Sequence, residues 1–415
     1  MTETKKENFK ICIVGAGPGG CATALFLAKQ GIPSLLLDRA TFPRDKICGD
    51  GISGWVLNIL NKLDPEINYK LAKQSYQVPS WGARFVAPNH QVLDVPFKVE
   101  DAINDNLPAG FVSKRIDFDN FLLELVKENP LISFKDDTEI NHFSKTDEFA
   151  LLKDTKGNEY KSALVIFANG AYSKFSKELA GIRMEKKHYI AGIRSYYSSV
   201  QGTHEKNYIE LHFLKNLLPG YFWIFPLPNG EANVGLGMRS DKISKHKINL
   251  KKELNKLINT HPDLRERFKN AKEIDAPKGF GLPLGSKKRR ISGERFMLVG
   301  DAASLIDPFT GEGIGNAMAS GMYAALHAQK CLEQQNYTAN FMLGYDKYTY
   351  NKIGGELKLS TLMQDLLNFP WLFSWIVNKA VSNPTLRETI SCMLTDLEVR
   401  AQLKKPSFYF KVLFG

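Results

Sequence analysis

The stretch Lys10–Ala40, KICIVGAGPGGCATALFLAKQGIPSLLLDRA, leaves a chain few choices. Ile11–Val14 is short and wholly apolar, the pattern of a strand buried on both faces. Gly15, Gly17 and Gly20 follow as G-x-G-x-x-G, and Ala22, Ala24, Leu25 and Ala28 predict a helix that Gly31 stops. A second apolar strand, SLLLD, ends on Asp38. Gly15 permits the sharp turn, Gly17 lets backbone approach a pyrophosphate, and Gly20 lets helix and strand pack closely. The helix N-terminus, with free N–H groups and a partial positive charge, faces the phosphates. Asp38 stands eighteen residues after Gly20, near the spacing at which a carboxylate accepts both ribose hydroxyls. These residues require an adenine dinucleotide without choosing between nicotinamide and flavin.

A second strand-turn-helix lies far downstream, in RFMLVGDAASLIDPFTGEGIGNAMASGMYAALHA. Phe296–Val299 is its strand, Gly300 and Asp301 close it, and a Pro308 turn leads through Gly311, Gly313 and Gly315 into a helix of small residues. This helix N-terminus is a second positive dipole end, suited to the anionic edge of a reduced isoalloxazine. Asp301, at a strand's carboxyl end, is placed to accept from a ribityl hydroxyl. A nicotinamide dinucleotide alone would not need this second turn.

The arrangement resembles the glutathione-reductase-like class of flavoproteins, in which both turns grip one FAD. VSKRIDFDNFLLELV carries that class's R-x-x-F-D pattern, and the resemblance puts Arg115 near the flavin's phosphate or ribityl region. ALVIFANGAYSKF departs from the class, with Asn169 where flavin hydroxylases carry an aspartate, which weakens a hydroxylase reading. No second complete dinucleotide fingerprint follows, so NAD(P)H would have to visit without a fold of its own.

After the second strand comes FPRDKICGDGISG, and here the chain resembles the geranylgeranyl reductase family. That family's P-x-x-K-x-C-G-x-G is matched by Pro43, Lys46, Cys48, Gly49 and Gly51, and its Y-x-W-x-F-P…G-x-G by Tyr221, Trp223, Phe225, Pro226, Gly235 and Gly237. The resemblance implies that this loop runs beside the flavin. It implies FAD contacts from Gly15, Gly17, Pro18, Gly19, Gly20, Asp38, Arg39, Lys46, Cys48, Gly49, Gly51, Arg115, Gly300, Asp301, Pro308, Gly311, Gly313 and Ile314. Cys48 stays open between a structural thiol and one coupled to flavin movement. A covalent nucleophile would want a nearby histidine, and the segment has none. Catalytic residues are otherwise unassigned, with Cys48 and Tyr221 as candidates.

Between these motifs lie strand-like segments rich in aromatic and β-branched residues. Alternation along YFWIF puts Tyr221, Trp223 and Phe225 on one face and Phe222 and Ile224 on the other. Both faces are apolar, so both could be core; the family resemblance makes Tyr221, Trp223 and Phe225 walls of a substrate cavity that suits a long hydrocarbon.

The expected fold is α/β: an FAD-binding Rossmann-like (ββα) domain, a mixed-sheet substrate domain and a C-terminal helical region. The FAD domain is expected at 1–75, 106–187 and 286–330, the substrate sheet at 76–105 and 188–285, and the helical region at 331–415. The resemblance implies reduction of carbon–carbon double bonds in a prenyl or other long hydrophobic substrate, with reduced flavin as hydride source and NAD(P)H or ferredoxin as electron donor. A flavin-dependent monooxygenase or halogenase is the alternative on this scaffold, although YFWIFP is not the halogenase W-x-W-x-I-P. A prenyl-binding protein without flavin is the third.

The net charge of +11 favours anionic partners: a dinucleotide, an acidic protein or a lipid surface. Short basic runs such as KKRR (287–290) lack interleaved aromatics, which excludes nucleic acid as the natural reading. Cys12, Cys21, Cys48, Cys331 and Cys392 show no C-x-x-C spacing, so neither a zinc site nor a disulfide framework is expected. The charged N-terminus has no export signal, and FPWLFSWIV falls short of the roughly 20 apolar residues of a spanning helix. The expectation is a cytoplasmic protein, with peripheral membrane contact through the C-terminal helices left open.

Overall fold

The computed structural model describes residues 6–97, 107–383 and 386–387. Cys392 and the cation-aromatic stretch RAQLKKPSFYFKVLF lie outside the described residues. The chain forms two units: Met1–Asp45, Ile116–Glu185 and Leu282–Leu357 build the first, and Lys46–Arg115, Lys186–Gly281 and Lys358–Gly415 the second.

The first unit is organised by the Lys6–Val14 strand, which pairs in parallel with Ser34–Leu37 on one side and Glu159–Phe167 on the other. Its second half, Ile11–Val14, is buried on both faces, as a central parallel strand must be. Phe296–Leu298 joins beyond Glu159–Phe167 and Ile132–Lys135 beyond Ser34–Leu37, both in parallel. An antiparallel meander, Ile140–Lys145 and Ala150–Asp154, extends from Glu159–Phe167.

Two helices lie together on this sheet. Pro18–Lys29 has every residue buried except Lys29. A Cβ added to Gly19 would lie 3.2 Å from the Ala317 carbonyl oxygen, and one added to Gly321 would lie 2.5 Å from the Gly19 carbonyl oxygen and 2.7 Å from Thr23 Oγ1. Residue 19 therefore meets 317 and 321, and residue 23 meets 321. The helix Ile314–Gln334 must run in the same sense as Pro18–Lys29, with the two N-termini side by side.

The division differs from the expected domains. The chain leaves the first unit at Asp45, not near residue 75, because the helices Gly54–Leu63 and Pro65–Ala72 belong to the second. Nor does a separate helical region begin at 331. The helix Ala339–Leu366 enters the first unit's core, where the fully buried Tyr345 donates its hydroxyl to the Leu298 carbonyl at 2.8 Å. Asp346 accepts there from the Ile291 N–H at 3.0 Å. A buried hydroxyl and carboxyl need such partners.

The second unit is a mixed sheet whose centre is Tyr189–Ser198, Glu231–Arg239 and Gly220–Pro226, antiparallel throughout. Ile209–His212 and Gly82–Val86 continue it, paired in parallel. One face carries Phe222, Ile224, Val234 and Leu236 into a core closed by Leu254, Leu257 and Phe268 from the helices Leu250–Thr260 and Arg265–Phe268. Each such side chain contributes about 1.5–3 kcal/mol on burial, which holds this face against the helices. Tyr221 and Trp223 are left half-buried on the opposite face.

Candidate functional site

At the first turn Gly15 adopts φ +107°, and a Cβ there would lie 2.5 Å from the Ala168 carbonyl oxygen. Only glycine fits both the conformation and the space. Asp38 latches this turn: its carboxylate accepts from the N–H of Ala16 at 2.6 Å and of Ala40 at 2.8 Å. Gly17 caps Pro18–Lys29 without any side-chain hydrogen bond to the helix end. Arg39 is exposed. The cation beside Gly17 is Arg44, whose Nη2 would stand 3.6 Å from a Cβ at that position. Arg44 is held by Asp119, the aspartate of the R-x-x-F-D pattern, at 2.6 Å. Sequence reasoning missed Arg44, because its partner lies 75 residues away.

The second turn belongs to the same unit. Gly300 takes φ +59° and donates its N–H to Ser320 Oγ at 3.0 Å, where a Cβ would meet Ala317 Cβ at 2.7 Å. Asp307 shapes the following loop by accepting from the N–H groups of Phe309 (2.9 Å) and Thr310 (2.8 Å). Gly311 has φ +74°. Gly313 packs on Ile306 and Asp301 and caps Ile314–Gln334, again without a side-chain bond to the helix end. Pro308 and Ile314 are buried and Asp301 is half-buried.

Two uncapped helix N-termini thus lie side by side, each reached through a glycine turn. Their orphan N–H groups and dipole ends suit anionic ligand groups. Asn169, just past the Glu159–Phe167 strand, keeps its buried amide oxygen Oδ1 without a hydrogen-bond partner. These residues fit a dinucleotide with a second, electron-accepting end.

In the second unit the Lys46–Ile52 loop lies on the aromatic face. Cβ atoms added to Gly49 and Gly51 would meet the Phe225 ring at 3.3 and 3.5 Å. The Trp223 indole lies in a glycine trough: a Cβ on Gly235 would come within 2.3 Å of its ring, on Gly237 within 3.7 Å and on Gly192 within 3.9 Å. The G-x-G of the sequence motif is room for a tryptophan. Trp223 Nε1 donates to Asn233 Oδ1 at 2.8 Å, and Asn233 Nδ2 donates both to the Cys48 carbonyl and to Asp50 Oδ2, each at 2.7 Å. The Tyr196 hydroxyl donates to Asp50 Oδ2 at 2.8 Å. Burial pushes the Asp50 carboxyl up to about 6, against the opposing effects of Asn233, Tyr196, Arg194 and Arg115. Arg115 is itself buried. Asp50, Tyr196 and Asn233 were not legible as site residues, since their contacts join positions 146 and 183 residues apart.

The Lys46 ammonium lies 5.2 Å from the Phe280 ring centroid. Burial raises the thiols of Cys12 and Cys331 to about 12 and that of Cys21 further, which leaves them inert, while Cys48 is half-buried. Among the described residues no group of three or more His, Cys, Asp and Glu could hold a metal ion.

Residues 8–333 match the family described as FAD binding domain. The chain belongs to that family. This flavoprotein is 29% identical to the digeranylgeranylglycerophospholipid reductase of Thermoplasma volcanium, over 96% of each chain. It is 30% identical to the menaquinone reductase of Mycobacterium tuberculosis, over 77% of this chain and 76% of the relative. Its fold is that of a geranylgeranyl bacteriochlorophyll reductase-like protein of Thermoplasma acidophilum, with TM-score 0.80 at 24% identity, covering 96% of this chain and 99% of the other. The flavoprotein is thus an FAD-dependent oxidoreductase of the geranylgeranyl reductase type. Among its described residues no helix is long and apolar enough to cross a membrane.

Arg44 tests the pyrophosphate end. Arg44→Met removes a charge-assisted partner worth roughly 1.5–3 kcal/mol, so FAD is expected to bind about 10- to 100-fold more weakly. Titration of flavin-stripped protein with FAD, followed by flavin fluorescence quenching, reads this directly. Affinity equal to wild type would remove Arg44 from the site.

Proposed function

We propose that this chain reduces carbon–carbon double bonds in the prenyl chains of a lipid. The observation that carries the reading is the Tyr221–Trp223–Phe225 face: three large rings, half-buried or at the edge of burial, with indole and loop fixed by hydrogen bonds and glycine trough. A rigid, nearly all-hydrocarbon wall of this kind suits a flexible apolar chain, not a sugar or amino acid. The names of the relatives, a digeranylgeranyl glycerophospholipid reductase and a menaquinone reductase, support the same class of substrate.

Gly15, Gly17, Pro18, Gly19, Gly20, Asp38, Arg39 and Arg44 would hold the adenosine and pyrophosphate, and Gly300, Asp301, Pro308, Gly311, Gly313 and Ile314 the flavin end. Lys46, Cys48, Gly49, Gly51 and Arg115 join them on the family resemblance. Bound and reduced, FAD supplies hydride chemistry to the alkene. The chain's own contribution is to orient the prenyl chain along Tyr221, Trp223 and Phe225 and to exclude water from it. The electron donor is ferredoxin or NAD(P)H, and the net charge of +11 favours an acidic protein.

The test is anaerobic. Protein reduced with dithionite is mixed with digeranylgeranylglycerophospholipid, expected to return the flavin to its oxidised spectrum while the lipid gains two hydrogens per double bond by mass spectrometry. Flavin that stays reduced, with lipid of unchanged mass, ends the reading.

Leu362, Phe369, Trp371 and Trp375 are exposed on the second unit, which supports peripheral membrane contact for lipid entry. Sedimentation with anionic phospholipid vesicles is expected to carry down wild type and to fall severalfold for Trp371→Ser/Trp375→Ser. Equal sedimentation of the two proteins would remove this face from the account.

A further inference from the structure

Addition of hydrogen across an alkene needs a proton as well as a reductant, and the wall of Tyr221, Trp223 and Phe225 offers no acid stronger than a phenol. Beside it stands a carboxyl. Asp50 takes φ +67° between Gly49 and Gly51, the two residues that pack on Phe225. Its side chain is 0% exposed, and its backbone carbonyl accepts from the Ser113 N–H at 3.0 Å, which pins the loop. Oxygen Oδ2 receives both available donors, Tyr196 Oη and Asn233 Nδ2. Oxygen Oδ1 is buried and bonds to nothing. A buried carboxyl oxygen without a partner is costly in either protonation state, and a catalytic role is one of the explanations such an atom admits.

We propose that Asp50 is the acid of this reaction, delivering its proton from Oδ1 to the double bond. The inference rests on the reading above. The alkene π bond opens, and its electron pair takes the Oδ1 proton to make one new C–H bond. The other carbon receives hydrogen with two electrons from the reduced FAD. The O–H pair stays on the carboxylate, which recovers a proton from solvent before the next turnover. Positive charge developing on carbon meets the faces of Tyr221 and Trp223, which attract cations.

The surroundings serve the carboxylate that is left. Tyr196 and Asn233 donate to it. Arg194 lies with its guanidinium 4.0 Å from the Tyr196 ring centroid and paired with Asp275 at 2.7 Å. Arg115, at the start of the Arg115–Lys127 helix, adds a second cation, and Lys114, 4.9 Å from the Tyr196 ring centroid, a third, neutralised by Glu231 at 2.6 Å. Cys48, on the same loop, faces Asn233 through its carbonyl.

The sign of the pH dependence follows. Only the protonated carboxyl delivers a proton, and burial raises its pKa to about 6, so single-turnover reoxidation by digeranylgeranylglycerophospholipid should fall as pH rises through that region. Asp50→Asn should lose about 100-fold or more of the rate and this pH dependence, the usual worth of a general acid, while still binding FAD. Tyr196→Phe removes a donor to the charged form and should move the falling limb to higher pH, a shift that a merely structural tyrosine would not cause. Independently of turnover, infrared difference spectra of the oxidised holoenzyme across pH 6 should show a protonated carboxyl band that Asp50→Asn lacks. Wild-type rate and pH profile in Asp50→Asn overturn the proposal and leave the proposed function standing. If that variant does not fold, an unshifted profile in Tyr196→Phe overturns it. A wild type that cannot reduce the lipid at all overturns the reading and the proposal together.

Discussion

Gly20→Val is expected to yield protein without flavin. A Cβ at Gly20 would lie 1.7 Å from the Gly15 carbonyl oxygen, 2.9 Å from the Gly15 carbonyl carbon and 3.4 Å from Ala168 Cβ. Backbone on one side and a packed strand end on the other leave nothing flexible to yield. Gly15 cannot retreat either, since its N–H is bonded to the Leu37 carbonyl at 2.7 Å and its own Cβ position is blocked by Ala168. The turn must therefore open, and with it the N-terminus of Pro18–Lys29. The ratio of flavin to protein absorbance after gel filtration should fall to nearly zero, with a large drop in melting temperature or soluble yield. Gly31→Ala is the control. Unlike Gly20 it sits at positive φ, +71°, but with nothing within 4 Å, so the substitution should cost only ~1–2 kcal/mol and keep its FAD. A fully yellow Gly20→Val protein would mean that the turn does not hold the cofactor as argued.

Gly235→Ala should separate flavin binding from substrate handling. The added methyl would stand 2.3 Å from the Trp223 ring and 2.4 Å from the Ile193 carbonyl oxygen. Either the indole leaves its trough or the strands part. Overpacking of this kind costs typically about 1–3 kcal/mol, read as a lowered denaturation midpoint. Displacing Trp223 breaks its bond to Asn233 and frees the loop that Asn233 holds. Misplacement of a positioning wall by about 1 Å can cost ~100-fold in rate, so lipid reduction should fall by that order. FAD content should fall far less than in Gly20→Val, because both glycine turns belong to the other unit. Adding Trp223→Ala to Gly235→Ala should recover stability without activity, the non-additivity expected of residues in contact. A Gly235→Ala enzyme with wild-type turnover would refute the trough.

The two glycine turns show how far local chemistry reaches. Gly15 and Gly300 take positive φ, the strand residues leading into each turn are apolar, and each helix starts without a polar cap. All of this is written within some thirty consecutive residues each time, so it was readable. The alternation of Tyr221 to Phe225 was readable too, as the period of a strand with two apolar faces. Which face packs on the helices was not, because that depends on Leu254, Leu257 and Phe268 arriving from another segment. The division at Asp45 escaped notice for a like reason. The helices from Gly54 to Ala72 carry ordinary amphipathic signals, and nothing local says which sheet they cover.

Sequence by itself determined the α/β class, the FAD fingerprint and the two family motifs, because each is a matter of dihedral angle, spacing or period within one segment. The tertiary structure alone decided that G-x-G is a seat for Trp223, that Asp119 holds Arg44 beside Gly17, and that the Asp50 carboxyl is buried against Tyr196 and Asn233. These are contacts between segments far apart in the chain. Their energies come from burial and hydrogen-bond satisfaction, which no single segment can supply.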